Sequence, residues 1–175
     1  YVSFEGSSAT DILGTLTNPN TANASYSTST YKVGLVSLDC SANTIGSVPT
    51  KYLTYSTTYN TLPISISCWI YASATTGSQQ TIFNLCSATN TALNVYGYEL
   101  SINSSGQLVS DLYCGGAYTA PGVAGSVINP TTWYLVCVTA QPGAPNTIYV
   151  NGVSKTTSGN IPANVNTFTT TAVSY

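Results

Sequence analysis

Charge is what this sequence has least of. Only 5% of its 175 residues are charged, where about 25% is usual for a soluble domain. The cations are Lys32, Lys51 and Lys155, and arginine is absent. Nucleic-acid binding through phosphates needs clustered Lys or Arg, so that partner class is excluded. Histidine is absent as well, which removes any Ser-His or Cys-His nucleophile pair and any His-completed zinc site. None of the five cysteines forms a Cys-x-x-Cys pair, the usual half of a cysteine zinc site. No run of about 18 apolar residues occurs, so no membrane-inserting helix is expected. The chain opens on Tyr1 rather than Met, as a processed product or an excised segment would.

Low charge alone does not mean disorder, because disorder also needs low hydrophobicity. Hydrophobic residues make up 43% of the chain, enough to bury one substantial core at this length. The surface must then be covered by neutral Ser, Thr, Asn and Tyr. A net charge of −2 gives such a surface little self-repulsion. That suits a module embedded in a shell, a fibre or a glycan-covered surface.

Strand-period patterns recur and helix-period patterns do not. Ile64, Ile66, Cys68 and Ile70 alternate with Ser65, Ser67, Trp69 and Tyr71. Tyr98, Leu100 and Ile102 alternate with Glu99 and Ser101, and Leu108, Leu112 and Cys114 with Val109, Asp111 and Tyr113. This period of two predicts strands with distinct faces. Asn103-Ser104-Ser105-Gly106 predicts one hairpin turn, and Asn151-Gly152 a type I′ turn. Pro142-Gly143 and Pro145 mark a longer hairpin loop. Residues 115–131, rich in Gly and Pro, and the polar stretch 17–30 are both expected to be exposed loops. Many short strands with polar turns predict a sandwich or barrel, with one face of a sheet open to solvent.

An ordered set of segments then becomes recognisable. GLVSLD at 34–39, LPISISCWIY at 62–71, GYELSINSSGQLVSDLY at 97–113, TTWYLVCVT at 131–139 and TIYVNG at 147–152 resemble, in order and spacing, successive strands of concanavalin A-like, laminin G-like domains. The opening YVSFEGSS…DILGTLTN is similar to the usual start of such a domain. The resemblance implies an all-β fold, an antiparallel two-sheet jelly-roll sandwich, with residues 1–175 forming one laminin G-like domain of a larger protein. Leu38 and Cys40 depart from the family's Phe and Gly around Asp39. The closing Gly-x-Ile-Asp strand is missing from FTTTAVSY, so the final strand is expected beyond the chain or from a neighbour that shares its sheet edge.

Glycosidases of this superfamily carry close carboxylates on one strand, and the reaction needs two such groups roughly 5–10 Å apart. The acids here are Glu5, Asp11, Asp39, Glu99 and Asp111. They form no such cluster, although Glu99 and Asp111 flank one predicted hairpin. No catalytic residue and no enzyme activity are expected. No cofactor is required. Calcium takes 6–8 oxygen ligands, and Asp39 with Asn43 is the weak candidate pair, against an Asx turn at Asp39. The cysteines read either as small buried hydrophobes or as members of one or two disulfides. Trp69 and Trp133 are expected in the core.

The ligand-binding candidates are Tyr96, Tyr98, Tyr113 and Tyr118, grouped by the predicted hairpin, with Asn103 and Asp111 as hydrogen-bonding partners. A partly exposed Tyr offers a flat apolar face and a hydroxyl to a sugar or a protein. The sequons at Asn23 and Asn103 are candidate N-glycosylation sites. Two functions fit. One is a non-catalytic carbohydrate-binding or adhesion module on a cell or virion surface. The other is a structural block of a capsid, fibre or extracellular assembly with no glycan ligand. The expected partners are glycans or neighbouring surface proteins, including a homo-oligomer. A glycan array separates the two, and a glycosidase would show two carboxylates converging in an open groove.

Overall fold

The computed structural model describes residues 2–3, 10–11, 17–22, 25–30, 32, 37–39, 52–56, 61–75, 77, 79–86, 97–114, 117–157, 160–164 and 172–174. Residues 2–3, 10–11, 17–22, 26, 37–39, 52–56, 86, 113–114, 117–126, 156–157 and 172–174 are described by backbone alone. Regular structure among the described residues is strand throughout. In chain order the strands are β1 (Val2–Ser3), β2 (Thr10–Asp11), β3 (Thr17–Ala22), β4 (Ser25–Ser27), β5 (Ser37–Asp39) and β6 (Tyr52–Ser56). Next come β7 (Ile64–Tyr71), β8 (Gln80–Cys86), β9 (Gly97–Ile102), β10 (Gln107–Cys114) and β11 (Ala117–Val127). The last are β12 (Trp133–Ala140), β13 (Thr147–Val150), β14 (Val153–Ser154), β15 (Thr156–Thr157) and β16 (Ala172–Ser174).

Two antiparallel sheets make the sandwich. The larger has eight strands in the order β15-β11-β10-β9-β8-β16-β6-β3, the smaller four in the order β14-β13-β12-β7. Alternation decides which side chains meet between them. Ile64 and Ile70 of β7, Val136 and Val138 of β12 and Ile148 of β13 face inward from the small sheet. Tyr98, Leu100, Leu108, Leu112, Phe83 and Leu85 meet them from the large one. Each side chain buried this way contributes roughly 1.5–3 kcal/mol.

The predicted turns form as their residues require. Asn151 and Gly152 take φ of 51° and 81° and join β13 to β14, with Val150 opposite Val153. Asn103 closes the β9–β10 hairpin: its N–H donates to the Gln107 carbonyl at 2.8 Å, and Gly106 donates to the Asn103 carbonyl at 2.9 Å.

Two stretches expected as loops are strands. Residues 17–22 form β3, paired with β6, where Thr17 faces Ser56 and Asn20 faces Thr54. Asn18 and Pro19 of β3 thus oppose the single residue Tyr55 of β6, and this bulge accommodates Pro19, whose missing N–H the ladder cannot use. Residues 117–127 form β11 on the flank of β10. Its register shifts between Leu112↔Thr119 and Ser110↔Gly122, so a bulge again takes up Pro121. Gly and Pro marked interruptions within these strands, and the sheet absorbed them as bulges. At the C-terminal end Ala172–Ser174 lies between β8 and β6 in the middle of the large sheet, although the segment lacks the closing motif.

The β9 strand is buried at all six positions. The large sheet is therefore covered on both faces there, and the open face expected of a sandwich is not found at its centre.

Candidate functional site

Of the hairpin candidates, Tyr98, Asn103 and Asp111 have described side chains, and these three point to different places. Tyr98 is 0% exposed and sits between the sheets. Its hydroxyl donates to Asn146 Oδ1 at 2.8 Å, and Ser110 Oγ lies 2.8 Å from the same hydroxyl. Asn146 Nδ2 donates back to the Ser110 carbonyl at 2.9 Å. This triad satisfies buried polar groups and ties the two sheets together. Burial raises the Tyr98 phenol above its ordinary pKa, so it stays neutral. As a ligand contact Tyr98 is corrected to a core residue, because the inward parity of β9 places it beside Leu100 and Ile102.

Asn103 is half-buried, and its carboxamide serves the turn. Its Oδ1 accepts from Ser105 N–H at 2.9 Å and from Gln107 N–H at 3.0 Å. The Tyr113 and Tyr118 backbones pair in register, while their side chains lie outside the described residues. So do Tyr96, Asn23, Asn43, Glu5 and Cys40, and the side chains of Asp11, Asp39, Cys86 and Cys114.

Asp111 faces away from the core, directly across from Glu99. They are 6% and 8% exposed. Glu99 Oε1 accepts from Gln79 Nε2 at 2.7 Å and from Thr81 Oγ1 at 3.1 Å. Gln79 Nε2 also reaches Ser101 Oγ at 3.2 Å. Burial raises the Glu99 carboxyl, opposed by these hydrogen bonds. Asp111 is pushed up to about 6, by burial first and by Glu99 second.

A second surface lies on the outer face of the small sheet, where the sequence led us to expect core. Trp69 and Tyr71 are each 39% exposed. Both share the outward parity of Ser65 and Ser67 in β7, so the core assignment of Trp69 is corrected. Register sets Trp133 opposite Tyr71 and Leu135 opposite Trp69. Tyr149 of β13 lies opposite Cys137 on the same face. The Tyr71 and Trp133 rings are 5.3 Å apart and tilted by 48°, and Lys32 Nζ stands 5.1 Å from the Trp69 ring. Trp133 is half-buried, so it too belongs to this face and not to the core. The signal was present in the sequence: both tryptophans alternate with the residues that do fill the core.

Cys68 and Cys137 are free thiols. Cys68 faces the core, and burial pushes its thiol up to about 11. Cys137 faces outward, with its thiol also raised by desolvation. Both are therefore protonated and poorly nucleophilic at neutral pH. Of the two readings the cysteines allowed, the small-hydrophobe one describes Cys68. Among the described residues no group of three Asp, Glu, His or Cys side chains gathers to hold a metal ion, and no helix is long and apolar enough to cross a membrane.

Residues 46–174 match the family described as the concanavalin A-like lectin/glucanases superfamily, of the laminin G kind. The chain belongs to this superfamily. Its fold is shared with the binding domain of botulinum neurotoxin serotype G, at a TM-score of 0.71 and 16% identity over 99% of this chain and 42% of that one. A second structure of the type G receptor-binding domain aligns at 0.68 and 17% identity, over 99% and 41%. The carbohydrate-binding module CBM66 from Bacillus subtilis aligns at 0.50 and 10% identity, over 91% and 88%. This chain thus spans about two-fifths of the toxin binding domains. No curated protein matches the chain.

Proposed function

We propose that this superfamily member is a non-catalytic module that binds a neutral carbohydrate through the outer face of its small sheet, as part of an extracellular or secreted protein. The exposed aromatic face built by Trp69, Tyr71 and Trp133 carries this reading. Aromatic rings present flat apolar surface to the C–H faces of a sugar, and Tyr adds a hydroxyl for orientation. Lys32 beside Trp69 supplies a donor at the rim. Several structures with this fold are binding domains, among them a carbohydrate-binding module and a toxin receptor-binding domain, and that supports the same reading. Against hydrolysis stands the state of the acidic pair. Glu99 and Asp111 are buried, and Glu99 is already held by Gln79 and Thr81, whereas a glycosidase acid pair flanks the substrate.

A glycan array followed by calorimetry on the sugars it selects tests the proposal. Trp69→Ala and Tyr71→Ala should each weaken binding roughly two- to tenfold, with an unchanged circular dichroism spectrum. Binding that ignores both substitutions would reject the platform. Absence of any sugar binding, together with ordered contacts between identical copies, would favour the structural building block instead.

A further inference from the structure

Among the described residues, positive φ occurs at Gly77, Gly106, Gly143, Gly152, Asn151 and Thr131. Glycine and asparagine bear that conformation at little cost. Thr131, at φ of 56°, is β-branched, and such a residue there is an outlier. Its strain persists because the surrounding structure overdetermines the turn. Ile128 is buried, and its N–H donates to the Gly106 carbonyl at 2.8 Å. The Thr131 N–H donates to the Ala72 carbonyl, also at 2.8 Å. The chain is thus held on both sides of Pro130, whose ring fixes its own φ. These bonds also put Thr131 at the edge of the aromatic face. Ala72 follows Tyr71, and Trp133 lies opposite Tyr71 in the ladder. The two steps from Thr131 to Trp133 span at most about 7 Å, so Thr131 stands at the end of the Tyr71–Trp133 ring pair. Its side chain is exposed, and its hydroxyl makes no hydrogen bond among the described residues. The neighbouring Thr132 hydroxyl, by contrast, donates to the Pro130 carbonyl at 3.3 Å.

A glycine at this position would form the same turn with less strain, so the backbone does not call for threonine. Strain of this kind collects at active sites and ligand clamps. Resting on the carbohydrate-binding reading above, we infer that Thr131 is a ligand-contacting residue of the aromatic face, whose hydroxyl hydrogen-bonds a hydroxyl of the sugar stacked on Tyr71 and Trp133. A threonine hydroxyl both donates and accepts, as a sugar hydroxyl does, so the pairing needs no charge at this end of the face. Lys32 serves the neighbourhood of Trp69, and Thr131 serves that of Trp133. The rings supply contact area that many sugars can use. The hydroxyl fixes orientation and discriminates between epimers, because a sugar that leaves it unpaired binds more weakly. The doubly anchored turn holds the group in place before binding, which lowers the cost of ordering it.

Three substitutions separate the strain from the hydroxyl. Calorimetry on a sugar selected by the glycan array reads affinity, and thermal unfolding reads strain. Thr131→Gly removes both branch and hydroxyl, so it should melt higher than the wild type yet bind roughly tenfold more weakly. Thr131→Val keeps the branch and loses the hydroxyl, so it should weaken binding as much with no gain in melting temperature. Thr131→Ser keeps the hydroxyl without the branch and should bind as the wild type does. The near-ultraviolet circular dichroism of the ring pair should be unchanged in all three. Glycine and valine variants that bind as tightly as the wild type would overturn the contact, and the aromatic platform would survive that result if Trp69→Ala still weakens binding. A Thr131→Gly melting temperature below that of the wild type would remove the strain from which the role is inferred, and the inference with it. If the wild type binds no sugar, the carbohydrate reading falls and takes this role with it.

Discussion

Tyr98, Ser110 and Asn146 show how single residues set this molecule's stability. Each is fully buried, and each completes the hydrogen bonding of the others. Tyr98→Phe removes the hydroxyl, so the core loses its bonds to Asn146 Oδ1 and Ser110 Oγ, and the Ser110 Oγ to Asn146 Oδ1 bond at 3.1 Å remains. Chemical denaturation should show a loss of about 1–3 kcal/mol. Asp111 acts in the opposite direction. Its native pKa of about 6 lies above the roughly 3.9 of an unfolded Asp. Between these values the native state binds more protons than the unfolded one, so stability falls as pH rises through about 4 to 6 and stays low above. Glu99, shifted the same way by burial, reinforces the trend. The domain should be more stable near pH 4.5 than at pH 7.5, by on the order of 2 kcal/mol. Asp111→Asn should flatten that dependence and raise the melting temperature at pH 7.5. A pH-melting series on both proteins measures this.

At the scale of elements, the β9–β10 hairpin carries the tightest constraint. Gly106 has φ of +79°, and a Cβ there would come within 3.0 Å of Val127 Cγ1 and 3.1 Å of the Thr75 carbonyl oxygen. The hairpin tip is therefore locked both by its own dihedral and by the residues packed over it. Gly106→Ala should cost about 1–3 kcal/mol, read as a lower melting temperature. Gly152 has a similar φ of +81° with nothing within 4 Å, so Gly152→Ala should cost only its backbone strain, nearer 1 kcal/mol. The difference between the two variants isolates the packing contribution. β3 and β11 teach a related lesson. Polar composition made the β3 segment look like a loop, and Gly and Pro, Pro121 among them, did the same for β11, because such residues weaken a strand locally. Ladder pairing with β6 and β10 outweighed that local preference by bulging around it.

Across the whole molecule, the two sheets present chemically different outer surfaces. The small sheet exposes rings and one lysine, and the large sheet buries an acidic pair beneath polar donors. Substitutions on the aromatic face should leave stability nearly intact while changing binding, since Trp69 and Tyr71 remain substantially exposed in the fold. A Trp69→Ala melting temperature well below that of wild type would show that the ring packs the fold together and does not serve a ligand. Combining Trp69→Ala with Asp111→Asn should give additive effects on stability, because the sites lie on different sheets and share no partner.

Period-two alternation, the Asn151-Gly152 and Asn103–Gly106 turns and the ordered strand segments were enough to establish the sandwich and its superfamily from the amino acids alone. Parity along a strand says that residues alternate between two faces, and that information is local. It does not say what covers each face. Alternation already set Trp69 opposite the residues that fill the core, but only packing of the sheets showed that its face stays open, that Tyr98 hydrogen-bonds across the core, and that Asp111 and Glu99 are buried together. Those outcomes depend on which strands become neighbours and in what register, a long-range property set by contacts between segments distant in the chain.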